Sequence, residues 1–256
     1  MRRLRFTLPN SLRHACILAC LMLAALHTPA ALALPEDKLI GKLNSIPVFT
    51  VVDAKGSPLL LKTKDKTEAA LLNFYLDASL AQQAMQAIRK QDAKVAQGYK
   101  VSLTGLGQAY RVAKEQRQKK DNKVQFQFLS SPQSVQTAFD IAKKQNPQLK
   151  NFPSVPIFFL AGGPKKGILT LNRDGKEYLP MFLSKDDLDR NLRELKQTKP
   201  DMAKQLSVEV ATLDSVVGTI LDTKNDDESS KITFIPAQKA LEYAQTLQKS
   251  VNKPKS

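Results

Sequence analysis

The sequence contains no tryptophan, only two cysteines and only two histidines among its 256 residues. All four of these cysteine and histidine side chains fall in the first 33 residues, at Cys16, Cys20, His14 and His27. A chain without this leader would form no disulfide and would lack a cysteine nucleophile, a Ser-His-Asp triad and nitrogen or sulfur ligands for zinc. We therefore predict that the protein is not an enzyme, with no catalytic residues, cofactors or metal ligands. A hydrolase with paired carboxylates stays open as an alternative, although nothing in the sequence brings two acids together.

The leader itself has the layout of a secretory signal peptide. Four arginines precede the apolar run ACILACLMLAAL, and the small residues Ala31 to Ala33 suit a signal peptidase. We predict a signal peptide at residues 1–33, cleavage after Ala33 and export of a mature chain that begins at Leu34. The alternative is an uncleaved anchor helix, but the apolar run is shorter than the roughly 20 residues that cross a bilayer.

The mature chain would be strongly basic. Loss of the four leader arginines from 39 basic residues leaves 35 against 24 acidic residues, a formal charge of +11. Because export separates the protein from nucleic acid, the anionic partners that remain are lipid head groups, lipopolysaccharide, cell wall and acidic polypeptides. The alternative is a lysine-rich surface with no specific partner, since the charges are scattered along the chain.

Two segments about a hundred residues apart in the sequence repeat the same apolar pattern. IPVF at Ile46–Phe49 returns as VPIF at Val155–Phe158, an offset of 109, and FYLD at Phe74–Asp77 matches MFLS at Met181–Ser184 at 107. Small drifts in offset with apolar class preserved indicate a duplication. We predict a first repeat lobe at residues 34–150, a second at 151–250 and a flexible tail at 251–256.

Periodicity gives each repeat the order strand, strand, strand, helix, strand, helix, strand, helix. Asp77 and Ser184 stand where helix N-caps are expected, and Asp174 with Gly175 gives a hairpin turn signal. The fold class is therefore α/β (α+β), with two pseudo-symmetric repeats, each a mixed, largely antiparallel sheet covered by helices. The polar run DTKNDDESSK at residues 222–231 is predicted to be a solvated loop.

The glycine-containing segment TGLGQ at residues 104–108 lacks the third glycine of a dinucleotide-binding fingerprint. We interpret it as the start of a helix, with Thr104 as the N-cap.

Adjacent large apolar residues mark the centres of the predicted strands. Because neighbouring strand residues point to opposite faces, one face must be core, and the other needs a helix, the second half or a bound client. We predict a polypeptide-binding apolar surface, one groove per repeat, formed by Phe49, Phe74, Tyr75, Phe158, Phe159, Met181 and Phe182. The alternative is that both faces are covered within the protein.

The ordered succession of motifs resembles one known family. IPVFTVVDAKGSPLLLK, FYLDASLAQQAMQAI, VSLTGLGQAY and the segment from VPIFFLAGG to KDDLDRNL are together similar to the Tic-twenty-two (Tic22) family. Its members are the cyanobacterial relatives of an intermembrane-space subunit of the chloroplast inner-envelope translocon. The resemblance covers essentially the whole predicted mature chain.

The resemblance implies a pseudo-symmetric α/β protein that acts as a chaperone in protein transport and in outer-membrane biogenesis. The implied location is the periplasm, with association with the thylakoid or its lumen as an alternative. The implied partners are unfolded precursor polypeptides and outer-membrane barrel-assembly proteins. The basic charge of the mature chain, rather than the resemblance, predicts the anionic membrane surface as a further partner, and predicted export excludes nucleic acid. The family offers no catalytic residues to transfer to this chain.

Overall fold

The repetition in the sequence corresponds to two β-sheets in the computed structural model of the chain. The structure describes residues 36–62, 69–162, 167–222 and 226–251. The predicted signal peptide, its cleavage site after Ala33 and residues 252–256 of the predicted tail lie outside the described residues, while Val251 ends the last helix. The described residues all belong to one compact unit.

The first sheet is built from strands of the first repeat, which are β1 (Pro47–Asp53), β2 (Leu61–Lys62), β3 (Ala70–Tyr75), β4 (Tyr99–Gly105) and β5 (Val124–Leu129). Strand β1 pairs antiparallel with β3 and β4, and β2 pairs antiparallel with β3. Strand β5 pairs in parallel with β3. The strands are rich in β-branched and aromatic residues, and Pro47 begins β1, where a missing N–H is tolerated.

The second sheet repeats this arrangement with β6 (Pro156–Gly162), β7 (Gly167–Ile168), β8 (Leu171–Arg173), β9 (Lys176–Phe182), β10 (Leu206–Thr212) and β11 (Ile232–Ile235). Strand β6 pairs antiparallel with β7, β9 and β10, and β8 pairs antiparallel with β9. Strand β11 pairs in parallel with β9. Each sheet is therefore mixed and mainly antiparallel, as predicted.

The strand registers follow the offsets found in the sequence. Equivalent pairs in the two sheets are Phe49↔Tyr75 with Phe158↔Phe182, Pro47↔Gly105 with Pro156↔Thr212, and Tyr75↔Leu129 with Phe182↔Ile235. The two sheets are thus consistent with a pseudo-repeat.

The helices surround the two sheets and are α1 (Glu36–Leu43), α2 (Ala78–Gln91), α3 (Ala93–Gln97), α4 (Leu106–Arg117), α5 (Pro132–Gln145), α6 (Lys185–Thr198), α7 (Pro200–Ala203), α8 (Leu213–Asp222), α9 (Asp226–Lys231) and α10 (Gln238–Val251). The predicted caps are confirmed, since the Asp77 carboxylate accepts from the Ser79 amide and the Ser184 hydroxyl accepts from the Asp187 amide. Within the described ranges, no helix is long and apolar enough to span a membrane.

One central hydrophobic cluster contains residues of both sheets. Val48 and Phe74 come from the first sheet, Ile157 and Met181 from the second, and helices α1, α4 and α8 contribute further buried side chains. Burial of this shared cluster removes apolar surface of both repeats from water, so the two halves stabilise each other.

The last helix of each repeat packs against the sheet of the other repeat. Helix α5 contacts β6 and β10, and its Ala138 lies in a cluster with Phe158 and Phe182. Helix α10 contacts β1, β4 and α2, and its Ala240 and Ala244 cluster with Phe49 and Tyr75. The outer face of each sheet is therefore covered by one helix from its own repeat and one from the other. The predicted division of the chain between residues 150 and 151 stays a prediction.

Helix α1 breaks the symmetry because it packs close to α4 of the first repeat and also contacts α8 of the second. Its Leu39 and Leu43 are fully buried, and the Asn44 side chain that follows it accepts from the Gln108 amide at 2.9 Å. A Cβ placed on Gly107 would lie 2.2 Å from the Ile40 carbonyl oxygen. Glycine is therefore required there by the close approach of α1.

Polar contacts also fix α1 in place. The Lys42 ammonium donates to the carbonyl oxygens of Ser230 and Ile232, both at 2.7 Å, and burial lowers the pKa of Lys42. At the start of the helix, Lys114 donates to Glu36, and this hydrogen bond raises the pKa of Lys114. The first helix is thus bonded to both repeats.

Two local predictions are corrected by the structure. The N-cap of α4 is Gly105 rather than Thr104, because the free amides at the helix start find distant partners: the Gln108 amide donates to the Asn44 side chain and the Leu106 amide to the Ile46 carbonyl. The predicted loop at residues 222–231 contains helix α9, which contacts β9. Tertiary packing overrides the polar composition there, since Ser229 is only 2% exposed.

Candidate functional site

Six of the seven residues predicted to form a polypeptide-binding surface are buried. Phe159 is half-buried, and the exposed fraction of the others lies between 0 and 9%; these six are Phe49, Phe74, Tyr75, Phe158, Met181 and Phe182. In the folded monomer their side chains pack against the protein itself. Their contact with a polypeptide stays a prediction, and it would require the helices that cover them to move.

The expected alternation of neighbouring residues between faces is confirmed. Phe159 packs against the central cluster, whereas Phe158 lies in the outer cluster beneath α5 and α6. In the first sheet, Phe74 belongs to the central cluster and Tyr75 to the outer one. The structure therefore divides the predicted residues among three clusters rather than grouping them in one groove per repeat.

The outer face of the first sheet is not completely covered. A cleft of about 910 Å³ lies between α2, β4 and α10. Its lining residues are Gln82, Met85, Gln86 and Arg89 from α2, Tyr99 to Leu103 from β4, and Tyr243, Leu247, Gln248 and Ser250 from α10. We call this space the α2–α10 cleft.

The chemistry of the α2–α10 cleft is suited to noncovalent contact. Met85, Val101, Leu103 and Leu247 supply apolar surface, and the Tyr243 ring makes an edge contact with Phe49 at 5.2 Å between ring centroids. Methionine adapts to apolar groups of varied shape. The described part of the lining combines these apolar side chains with glutamine, serine, arginine and lysine, which can donate or accept hydrogen bonds.

Sequence reasoning did not find this cleft because it selected the largest side chains at strand centres. A signal was present in α2, where Gln82, Met85, Gln86 and Arg89 recur with the i, i+3, i+4, i+7 spacing of one helix face. The contribution of α10 could not be read from the sequence, since it depends on the exchange of helices between repeats.

A second, polar cleft of about 500 Å³ lies where the N-termini of α2, α5, α6 and α10 converge. The protein's own side chains satisfy helix-start amides here. Ser131 accepts from the Ser134 amide at 3.2 Å, and the Asp187 carboxylate accepts from the Gln238 amide at 2.9 Å. These contacts, together with the Asp77 and Ser184 caps, place polar and acidic groups against the positive ends of the helices.

Comparison with known proteins agrees with this fold. Protein TIC 22, chloroplastic, from Arabidopsis thaliana is 25% identical over 224 residues, which cover 86% of this chain and 74% of that protein. The solved structure of Anabaena Tic22 (protein transport) matches with a TM-score of 0.70 at 24% identity, over 87% of this chain and 99% of that one. Tic22 from Plasmodium falciparum matches with a TM-score of 0.67 at 20% identity, over 83% and 98% of the two chains.

A family model described as the Tic22-like family matches residues 5–249. This span includes every strand of both sheets. The chain therefore belongs to the Tic22-like family.

Proposed function

We propose that this protein is an exported, chaperone-like member of its family that assists protein transport by holding unfolded precursor segments. The observation that supports this proposal is the α2–α10 cleft, which presents the apolar side chains of Met85, Val101, Leu103 and Leu247 among polar and basic ones. Binding there needs no cofactor or nucleotide, because its driving force is the burial of apolar surface of the client.

The proposed setting is the periplasm, with the thylakoid lumen as the alternative compartment. The predicted signal peptide supports export, and the similarity to Anabaena Tic22, which is described as a protein of protein transport, supports a role beside a membrane. We propose outer-membrane biogenesis as the process and outer-membrane barrel-assembly proteins as partners. Co-purification of these proteins with the tagged full chain from a periplasmic extract tests this part of the proposal.

Two residues of the predicted aromatic surface lie directly beneath the α2–α10 cleft. Phe49 and Tyr75 lie under α10, and Phe49 supports the Tyr243 ring that lines the cleft. If α10 moves aside, the same apolar face would extend the binding surface toward the centre of the sheet. Both states would bind apolar segments, so the client class is the same.

The proposal predicts that the purified protein suppresses aggregation of an unfolded model client without ATP. Leu247→Asp should weaken client affinity about tenfold, because it removes apolar contact from the cleft wall. Affinity is measured by fluorescence anisotropy with a labelled, permanently unfolded client. Met202→Asp is the control, since Met202 is 41% exposed and does not line the cleft. Absence of suppression by the parent protein would reject the proposal.

A lipid-binding function is the alternative, and exposed apolar residues favour it. Leu60, Leu61 and Ile168 are each at least 39% exposed, at or beside β2 and β7 on the two sheets. Together with the basic charge, they could contact an anionic membrane surface.

Flotation with phosphatidylglycerol vesicles separates the two functions. The chaperone proposal predicts that the protein stays unbound at physiological salt while it still binds the client. Flotation that requires anionic lipid and fades as salt rises would support the lipid alternative, because screening weakens contacts between exposed charges. Phosphatidylcholine vesicles provide the uncharged control.

A further inference from the structure

We propose that strand β4 binds the client by strand addition and that Arg89 selects an extended apolar segment with an acidic side chain. This inference rests on the proposed function for the class of ligand, an unfolded polypeptide. It adds the geometry of binding and the charge of the preferred segment. The α2–α10 cleft receives the side chains of that segment, while the edge of β4 bonds its backbone.

The first observation is the open edge of β4. Strand β1 is the strand that pairs with β4 among the described residues, and it does so over the full length of β4. The amide of Leu106 donates to the Ile46 carbonyl at 2.9 Å. This bond shows which residues of β4 form backbone hydrogen bonds with β1. Alternate residues of an antiparallel strand bond to the same neighbour, so Lys100, Ser102 and Thr104 face β1. The backbone groups of Tyr99, Val101 and Leu103 point away from it.

The second observation is that the cleft reaches this edge. Five consecutive residues, Tyr99 to Leu103, line the α2–α10 cleft. Side chains of consecutive strand residues point to opposite faces, so contact with one face alone would involve every second residue. The unbroken run therefore indicates that the cleft opens onto the edge of the strand. Edges of this kind are templates for added strands.

The third observation is the charge of the lining. Among the described residues that line the cleft, the charged ones are Arg89 and Lys100, and both are basic. None of the ion pairs between described residues includes either of them. Arg89 lies on the α2 face that lines the cleft, whereas strand alternation directs the Lys100 side chain to the other face of β4 from Val101 and Leu103. An acidic side chain among the apolar ones complements Arg89.

The second repeat supplies matched control positions. The offset of 107 relates Arg89 to Lys196 and Val101 to Val208, and Val208 also points its backbone away from the neighbouring strand. At the edge of the second sheet, the Gln145 side chain of α5 donates to Glu209 of β10, and Glu209 also accepts from Ser207. The equivalent edge therefore presents a carboxylate in place of Ser102.

The test uses two labelled peptides with alternating valine and threonine and a central charged residue, which is glutamate in one and lysine in the other. With the full mature chain, the glutamate peptide should bind about tenfold more tightly than the lysine peptide. Arg89→Glu should remove or invert this preference, whereas Lys196→Glu should leave it unchanged. A preference that survives Arg89→Glu would overturn the role of Arg89.

Strand addition is tested by proline substitution and by amide exchange. Val101→Pro removes an outward N–H without removing a bond to β1, so it should abolish peptide binding while the fold persists. Val208→Pro is the control and should bind normally. Hydrogen exchange followed by NMR gives a readout without substitution, since peptide binding should protect the amides of Tyr99, Val101 and Leu103. Bound peptide without this protection would overturn strand addition.

The outcomes separate this inference from the proposed function. Aggregation suppression by a protein that shows no protection of β4 would reject strand addition and leave the chaperone function in place. Failure to suppress aggregation would reject the chaperone function, regardless of the peptide affinities and of the amide protection in β4. Protection of β4 by the glutamate peptide, lost in Val101→Pro, would support both.

Discussion

Replacement of Gly107 by alanine should destabilise the protein by about 2–4 kcal/mol, because the added methyl has no room. Its Cβ would lie 2.2 Å from the Ile40 carbonyl oxygen and 2.7 Å from the Asn44 side-chain oxygen. Helix α1 would have to shift, which would disturb the burial of Leu39 and Leu43 and the cap of α4. Urea unfolding followed by far-UV circular dichroism gives the free energy of unfolding.

Two other glycines are matched controls for this substitution. Gly41 in α1 and Gly218 in α8 are helical, and a Cβ at either position meets nothing within 4 Å. Alanine at these positions should raise the free energy of unfolding by about 0.5–1 kcal/mol, because glycine costs helices conformational entropy. Equal effects at all three glycines would contradict the close approach of α1 to α4.

Replacement of Phe158 by aspartate should lower the stability by more than about 4 kcal/mol, enough to unfold a large fraction of the protein. Phe158 is fully buried, and its cluster joins α5 of the first repeat to the second sheet. The substitution would remove a large apolar side chain and place a carboxylate without a partner in that cluster. Phe158→Leu keeps the position apolar and should cost far less.

Ile168→Asp is the control for the added charge, since Ile168 is 39% exposed and should tolerate it within about 0.5 kcal/mol. The same unfolding measurement applies to all three variants. If Phe158→Asp stayed folded and lost only client binding, Phe158 would be part of an open binding surface. That result would contradict the packing of α5 against the second sheet.

Helix caps and turns of this fold could be predicted, because they depend on residues that are neighbours in the sequence. Asp77 and Ser184 cap helices because a short polar side chain before an apolar stripe can bond the free amides next to it. Asp174 and Gly175 form the predicted turn, with φ of 54° and 76° that these two residue types tolerate. The repeat predicted that the two halves share one element order, and the equivalent strand pairs of the two sheets agree with it.

Features that depend on distant segments could not be predicted. The apolar stripes of α5 and α10 indicate that each helix buries one face, but not against which sheet. The strand pattern likewise showed that Phe49 and Tyr75 lie on an apolar face without revealing that Ala240 and Ala244 cover it. The need for glycine at position 107 comes from the backbone of Ile40, 67 residues earlier, which leaves no local pattern.

The reciprocal packing of α5 and α10 gives a single polypeptide the connectivity of a twofold dimer with swapped arms. A lone unit would keep the covering helix of its own repeat, α2 or α6, but would lose the second one, so a second copy would be needed to cover the outer sheet face fully. By the same reasoning, separately expressed fragments 34–150 and 151–250 should fold together when mixed, while each alone would expose the apolar face that its absent partner covers.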